Sequence, residues 1–162
     1  AVVGGPCCLM YSVVVSYQRY PELRALDRAH AFVLGRTAAA LAEHHPGIAR
    51  QGTSDLAVGD RKFSGNSLRC RRDHLLYHGT VLYDFPLERI SECLRMPVRQ
   101  PDYRRARPHG EFIMNLPLPR DVIREALVAA WQADVEYADW PAERVTTLAA
   151  ERFADESWTF RR

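Results

Sequence analysis

The stretch that decides the fold runs from Asp55 to Asp84. It opens as Asp55-Leu56-Ala57-Val58, turns at Gly59-Asp60, and returns as Arg61-Lys62-Phe63-Ser64-Gly65-Asn66-Ser67-Leu68-Arg69. A Gly-Asp pair between two strand-like runs is a hairpin signal, because glycine tolerates the backbone twist of a two-residue connection. Arg71-Arg72-Asp73 makes the next turn, and Leu75 to Tyr83 comes back as a third strand. Short turns join only antiparallel neighbours, so the stretch predicts an antiparallel meander. Gly65 interrupts the middle strand, where a missing side chain admits a ligand or another backbone.

Working outward, residues 8–17 alternate: Leu9, Tyr11, Val13, Val15 and Tyr17 share one face, and Ser12 and Ser16 take the other. That is a strand with one buried face. Pro21 and Glu22 open a helix whose stripe is Leu23, Leu26, His30, Val33, Leu34, Thr37 and Leu41, stopped at His44-His45-Pro46-Gly47. Beyond the meander, Pro86 to Leu94 predicts a short helix. Residues 95–110 are rich in Arg and Pro and predict an ordered loop or flap. Pro119 and Asp121 start a helix with the stripe Val122, Ile123, Ala126, Leu127, Ala130 and Trp131. A further helical segment runs from Pro141 to Phe153, and Ser157-Trp158-Thr159-Phe160 reads as a closing strand.

With 162 residues the chain is the size of about one domain. Its 47% hydrophobic and 26% charged content is that of a globular protein. The formal net charge is only +2, which argues against bulk recruitment of nucleic acid. No apolar run approaches the ~18 residues of a membrane span. Cys7, Cys8, Cys70 and Cys93 show neither metal-ligand spacing nor a disulfide framework, so no metal site is expected and a reduced, cytoplasmic setting fits. Ala1 has no preceding Met and no basic stretch follows, so the start is read as a fragment or processed form rather than a secretory signal.

The basic residues are unevenly chosen. Of the 22, all are arginine except Lys62. A lysine is a compact point charge on a flexible stem, which guanidinium does not replace. On the hairpin, Asp55 and Lys62 flank a tight turn, with Ser64, Gly65, Asn66 and Ser67 beside them. That grouping suits a carboxylate or phosphate; it equally describes a surface hairpin with a solvated lysine. His78 is either a strand residue of structural use or a site residue. Cys70, among Arg69, Arg71 and Arg72, is either an activated thiol or an exposed turn residue. Arg99, Arg104, Arg105 and Arg107 are either contacts for a phosphate or acidic partner, or a solvated loop.

Taken as a set, these residues resemble the lipoate–protein ligase A family of the biotin/lipoate protein ligase superfamily. The resemblance rests on Ser54-Asp55-Leu56, Arg61-Lys62-Phe63-Ser64-Gly65-Asn66-Ser67 and His78-Gly79-Thr80-Val81-Leu82. Asn115-Leu116, Trp158-Thr159-Phe160 and the opening Gly5-Pro6-Cys7-Cys8-Leu9 also fit, so it spans nearly the whole chain. It implies an α+β fold, a mostly antiparallel sheet with flanking helices like the catalytic domain of class II synthetases and biotin ligases. Residues 1–162 would be its C-terminal portion, with the family's Arg-Arg-x-x-Gly-Gly-Gly loop ahead of Ala1.

The implied activity is ATP-dependent attachment of lipoate or octanoate to lipoyl domains through an acyl-adenylate. Lys62 would be the catalytic residue, and Asp55, Ser64, Gly65, Asn66, His78 and Gly79 would line the adenylate pocket. ATP would come with Mg2+, and the acceptors would be lipoyl domains of 2-oxoacid dehydrogenases or glycine cleavage H protein. Two other readings stay open. One is an ATP-independent octanoyl or lipoyl amidotransferase using a Cys nucleophile. The other is a non-catalytic lipoyl-domain or acyl-binding protein of the same fold.

Overall fold

The structure is a computed structural model that describes residues 4–161. It forms two compact units, Ala1–Gln132 and Ala133–Arg162. The first is built on a five-stranded antiparallel sheet of β1 (Cys8–Ser16), β2 (Ile48–Gln51), β3 (Asp55–Val58), β4 (Arg61–Cys70) and β5 (His74–Leu82), ordered β1-β5-β4-β3-β2. The expected meander is β3-β4-β5. Gly59, at φ 59°, takes the left-handed turn position between β3 and β4.

One sheet face carries the main core. Helix α1 (Leu26–Ala42) lays Ala29, Val33, Leu34, Ala38 and Leu41 against Val15, Leu56, Phe63, Leu75, Tyr77 and Val81 of the strands. Helix α4 (Arg120–Trp131) adds Ile123, Ala126 and Leu127 to the same cluster. Each fully buried side chain of Leu or Phe size contributes about 1.5–3 kcal/mol. Leu26, expected on the α1 stripe, is exposed. The chain is extended at Ala25 and a separate 3-10 turn holds Pro21–Arg24, so Leu23 is buried from that turn and the helix starts in a new phase. On the other face, helix α2 (Glu88–Cys93) packs Ile90 with Leu82 and Phe85.

Residues 95–108 form a strap with one 3-10 turn at Asp102–Arg104, followed by the short helix α3 (His109–Phe112). After α3 the chain runs beside β4: Met114 N–H donates to Lys62 C=O at 2.9 Å and Arg61 Nη2 to Ile113 C=O at 2.9 Å. Asn115 then uses its side-chain amide as a strand would, accepting from Phe85 N–H at 3.0 Å and donating to Phe85 C=O at 2.9 Å.

The second unit holds helix α5 (Ala142–Leu148), continued by a π-helical turn at Ala149–Phe153, and helix α6 (Glu156–Thr159). The strand expected at 157–160 is therefore a helix. Asp155 caps it, its carboxylate accepting from Ser157 N–H at 2.7 Å, and that local bond prevails over the strand preference of Trp and Phe.

Candidate active site

The site begins with an irregularity in pairing. Asp55 stands opposite Gly65 and Leu56 opposite Ser64, but Ala57 stands opposite Lys62 and Val58 opposite Arg61. β4 thus has one residue more than β3 over this span, a β-bulge at Phe63. Phe63 and Ser64 are both buried toward the core. The alternation resets, and Lys62 emerges on the face that Asp55 and Gly65 share. In an unbroken strand Lys62 would follow Ser64 to the core side.

Once there, the ammonium is held closely. Lys62 Nζ lies 2.6 Å from Asp55 Oδ1, with the two side chains 28% and 12% exposed. A pair this sheltered is screened less than a surface pair, and removing one partner strands the other's charge. The second oxygen, Asp55 Oδ2, accepts from the Tyr103 hydroxyl at 2.7 Å. Burial first, then the hydrogen bond to Asp55 and its charge, push the Tyr103 phenol far up, so it remains a donor. Gly65 makes room: a Cβ there would stand 3.1 Å from Lys62 Nζ.

Asp55, Gly65, Thr80 and Met10 form one row across β3, β4, β5 and β1. Above that row opens a cavity of about 580 Å³. Ile90 and Leu94 wall it from the α2 side, Leu82 and Ile113 add apolar surface, and Lys62 and Asp55 border it. An apolar wall with a single cation suits a ligand with a hydrocarbon part and an anionic head.

All seven site residues expected from sequence border this cavity, but they serve it differently. His78 is exposed on the cavity side of β5, opposite Ser67 and Ser12. Asn66 turns its side chain to the core side. Its Oδ1 accepts from the Tyr11 hydroxyl at 2.5 Å, and its Nδ2 donates to Ser54 C=O at 2.8 Å and Ser64 Oγ at 3.1 Å. Gly79 is bare for the same reason, since a Cβ there would fall 1.8 Å from Asn66 Oδ1. Asn66, Ser64 and Gly79 thus build the floor from beneath.

The arginine cluster divides: two of its four members are neither solvated nor free for a partner. Arg104 is buried, donating to Arg107 C=O at 3.0 Å, with its guanidinium 4.7 Å above the Phe112 ring. Arg107 pairs with Asp60 at 3.0 Å and donates to Asp60 C=O at 2.7 Å. Arg107 ties the strap to the hairpin turn and Arg104 holds the strap together from within; Arg99 and Arg105 are exposed. Sequence reasoning missed Tyr103 and the α2 wall, because neither lies in a periodic or motif-bearing stretch. Cys70 is exposed at the opposite end of β4 from Lys62, and no cysteine borders the cavity among the described residues. Among them also, no group of three His, Cys, Asp or Glu side chains could hold a metal ion.

Residues 1–130 match the family model of the lipoyl protein ligase A/B catalytic domain. Three solved structures share the fold. A bipartite lipoate protein ligase of Thermoplasma acidophilum, studied with its E2 lipoyl domain, is 16% identical with a TM-score of 0.73 over 94% of this chain. A lipoate protein ligase structure from T. acidophilum with bound lipoic acid is 17% identical, with a TM-score of 0.67 over 94% of this chain. A lipoate-protein ligase A bound with ATP is 19% identical, with a TM-score of 0.65 over 93%. The chain spans 64% of the length of each. No curated protein matches it.

Proposed function

The chain belongs to the lipoyl protein ligase A/B catalytic-domain family, and from that premise we propose that it attaches lipoate or octanoate to the lysine of lipoyl domains through an acyl-adenylate. The observation that carries this reading is the single lysine, ion-paired to Asp55 at 2.6 Å and laid over Gly65 at the edge of an otherwise apolar cavity. Two relatives support the ligands: one structure holds lipoic acid and another ATP.

The acyl carboxylate attacks the α-phosphorus of ATP, and pyrophosphate leaves. A lysine amine of the acceptor then attacks the acyl carbonyl, and AMP leaves. Negative charge builds on phosphate oxygens in the first step and departs with AMP in the second. An ammonium held beside the phosphate by Asp55 lowers both barriers, and it does so electrostatically rather than as a nucleophile. Lys62 carries three N–H donors, of which Asp55 engages one, so the remainder serve the ligand. Asp55, Gly65, His78 and Gly79 line the adenylate pocket, with Ser64 and Asn66 setting its floor. Magnesium would accompany the triphosphate and offset its charge. Lipoyl domains of 2-oxoacid dehydrogenases or glycine cleavage H protein are the proposed acceptors; what supports a lipoyl-domain partner is that the T. acidophilum ligase was studied with its E2 lipoyl domain.

The test is lipoate-dependent ATP–pyrophosphate exchange by the chain, with transfer to a lipoyl domain read by mass. The wild type exchanges and transfers. Lys62→Arg keeps the fold and loses both, since guanidinium keeps the charge but not the reach or shape. Full activity in Lys62→Arg rejects the role of the lysine. Transfer from an acylated carrier without ATP would favour the amidotransferase; among the described residues no cysteine lines the cavity. Neither activity would leave the binding protein.

A further inference from the structure

We propose that Tyr103 is a positioning residue of the site, setting Lys62 for catalysis through Asp55. The proposal rests on the ligase reading above and names a residue that reading does not use. Tyr103 is not among the residues lining the cavity, whereas its partner Asp55 is. Tyr103 reaches the chemistry through the carboxylate: its hydroxyl takes Asp55 Oδ2 at 2.7 Å while Asp55 Oδ1 takes Lys62 Nζ at 2.6 Å. A carboxylate gripped at both oxygens cannot turn about its terminal bond, which is otherwise soft. The lysine, with a long flexible stem, has no comparable grip of its own.

The tyrosine is itself held on several sides. A Cβ on Gly52, at φ 55°, would stand 3.4 Å from Tyr103 Cε1, so the ring rests against bare backbone. Phe112 lies 5.1 Å away, centroid to centroid. Arg107 donates to Tyr103 C=O at 3.1 Å and ties the same strap to Asp60 at 3.0 Å. The relay therefore runs from a braced strap to a phenol, a carboxylate and an ammonium. The second effect is on charge. With its second oxygen donated to, Asp55 repels an incoming anion less than a bare carboxylate would.

The test uses the fact that Lys62 is the chain's one side-chain lysine. Lys62 and the α-amino group are the two amines an acetylating N-hydroxysuccinimide ester can modify, and peptide mass spectrometry reads the label on each separately from any on thiols or hydroxyls. The wild type, Tyr103→Phe, Asp55→Asn and the double variant are compared at one pH, after melting curves establish that each is folded. Tyr103→Phe is expected to label Lys62 several-fold faster than wild type, and to lower kcat about tenfold with KM for the acyl acid little changed. In the Asp55→Asn background it should add little, because an amide has one accepting oxygen and cannot accept from Tyr103 and Lys62 at once. Unchanged labelling in Tyr103→Phe, or an equal effect with and without Asp55, overturns the proposal. If the wild type forms no acyl-adenylate, the ligase reading fails while the labelling rates still decide the role of Tyr103. If Asp55→Asn does not fold, the labelling of Tyr103→Phe alone decides it.

Discussion

Gly65 and Gly79 are fourteen positions apart and border the same cavity, yet a methyl group at each meets a different kind of obstacle. At Gly65 it meets Lys62 Nζ at 3.1 Å and Cε at 3.2 Å, the far end of a mobile side chain that can step aside. Gly65→Ala is therefore expected to leave stability within ~1 kcal/mol of wild type, since alanine also suits a strand better than glycine. It should nevertheless lower adenylate formation tenfold or more, because the ammonium is pushed off its seat. At Gly79 the methyl meets Asn66 Oδ1 at 1.8 Å and Tyr11 Cε1 at 3.0 Å. Asn66 must move and give up bonds to Tyr11, Ser54 and Ser64. Gly79→Ala is expected to cost about 2–4 kcal/mol, overpacking and stranded polar atoms together. Urea unfolding beside pyrophosphate exchange separates the two outcomes. Composition alone singled out Lys62 as the one lysine, without deciding between a solvated residue and a site residue. The facing of Asn66 was not, because the alternation of β4 cannot be phased until the bulge at Phe63 is located.

Elements were legible where a turn residue or a period marked them. Gly59-Asp60 announced the hairpin, and the serine–apolar alternation announced β1. β2 was missed: it has four residues, only Ile48 is buried, and no alternation survives at that length. The strap was read as an ordered flap, but its order comes from Arg104 and Arg107 bonding to backbone carbonyls, which no local pattern encodes. Helix α1 and strand β5 are joined beneath the site by one polar contact, His30 Nδ1 and Tyr77 Oη at 2.8 Å. Burial, then the charge of Arg50, hold His30 below its ordinary value, with Asp27 opposing. The unfolded chain thus takes up this proton first as pH falls. Stability present near neutrality is lost as pH drops through the ordinary histidine range near ~6.5. Melting temperature should fall between pH 7 and 5, and His30→Gln should flatten that slope. A parallel slope in the variant would show that other groups cause it.

At the scale of the whole molecule, the site and both hydrophobic clusters lie within residues 4–132, and no described residue of Ala133–Arg162 is buried. The architecture of the first unit follows from the meander and two amphipathic helices; in the second unit the closing segment is a helix because Asp155 caps it, which its Trp and Phe do not announce. One property belongs to the entire surface. If the proposed reaction releases its acyl-adenylate, every nearby amine is exposed to acylation, and this chain carries arginine at every basic position but Lys62. Guanidinium stays protonated and does not attack an acyl carbonyl. Lys62 is itself tied to Asp55. With ATP and lipoate but no acceptor, the wild-type chain should gain no acyl group on any side-chain amine. Arg69→Lys keeps the charge and places an amine two residues beyond Ser67, which borders the cavity. That variant should gain one acyl group at position 69, mapped by peptide mass. An unmodified Arg69→Lys, under conditions where exchange runs, would mean that the adenylate never meets the solvent-facing surface and that arginine is not protective there.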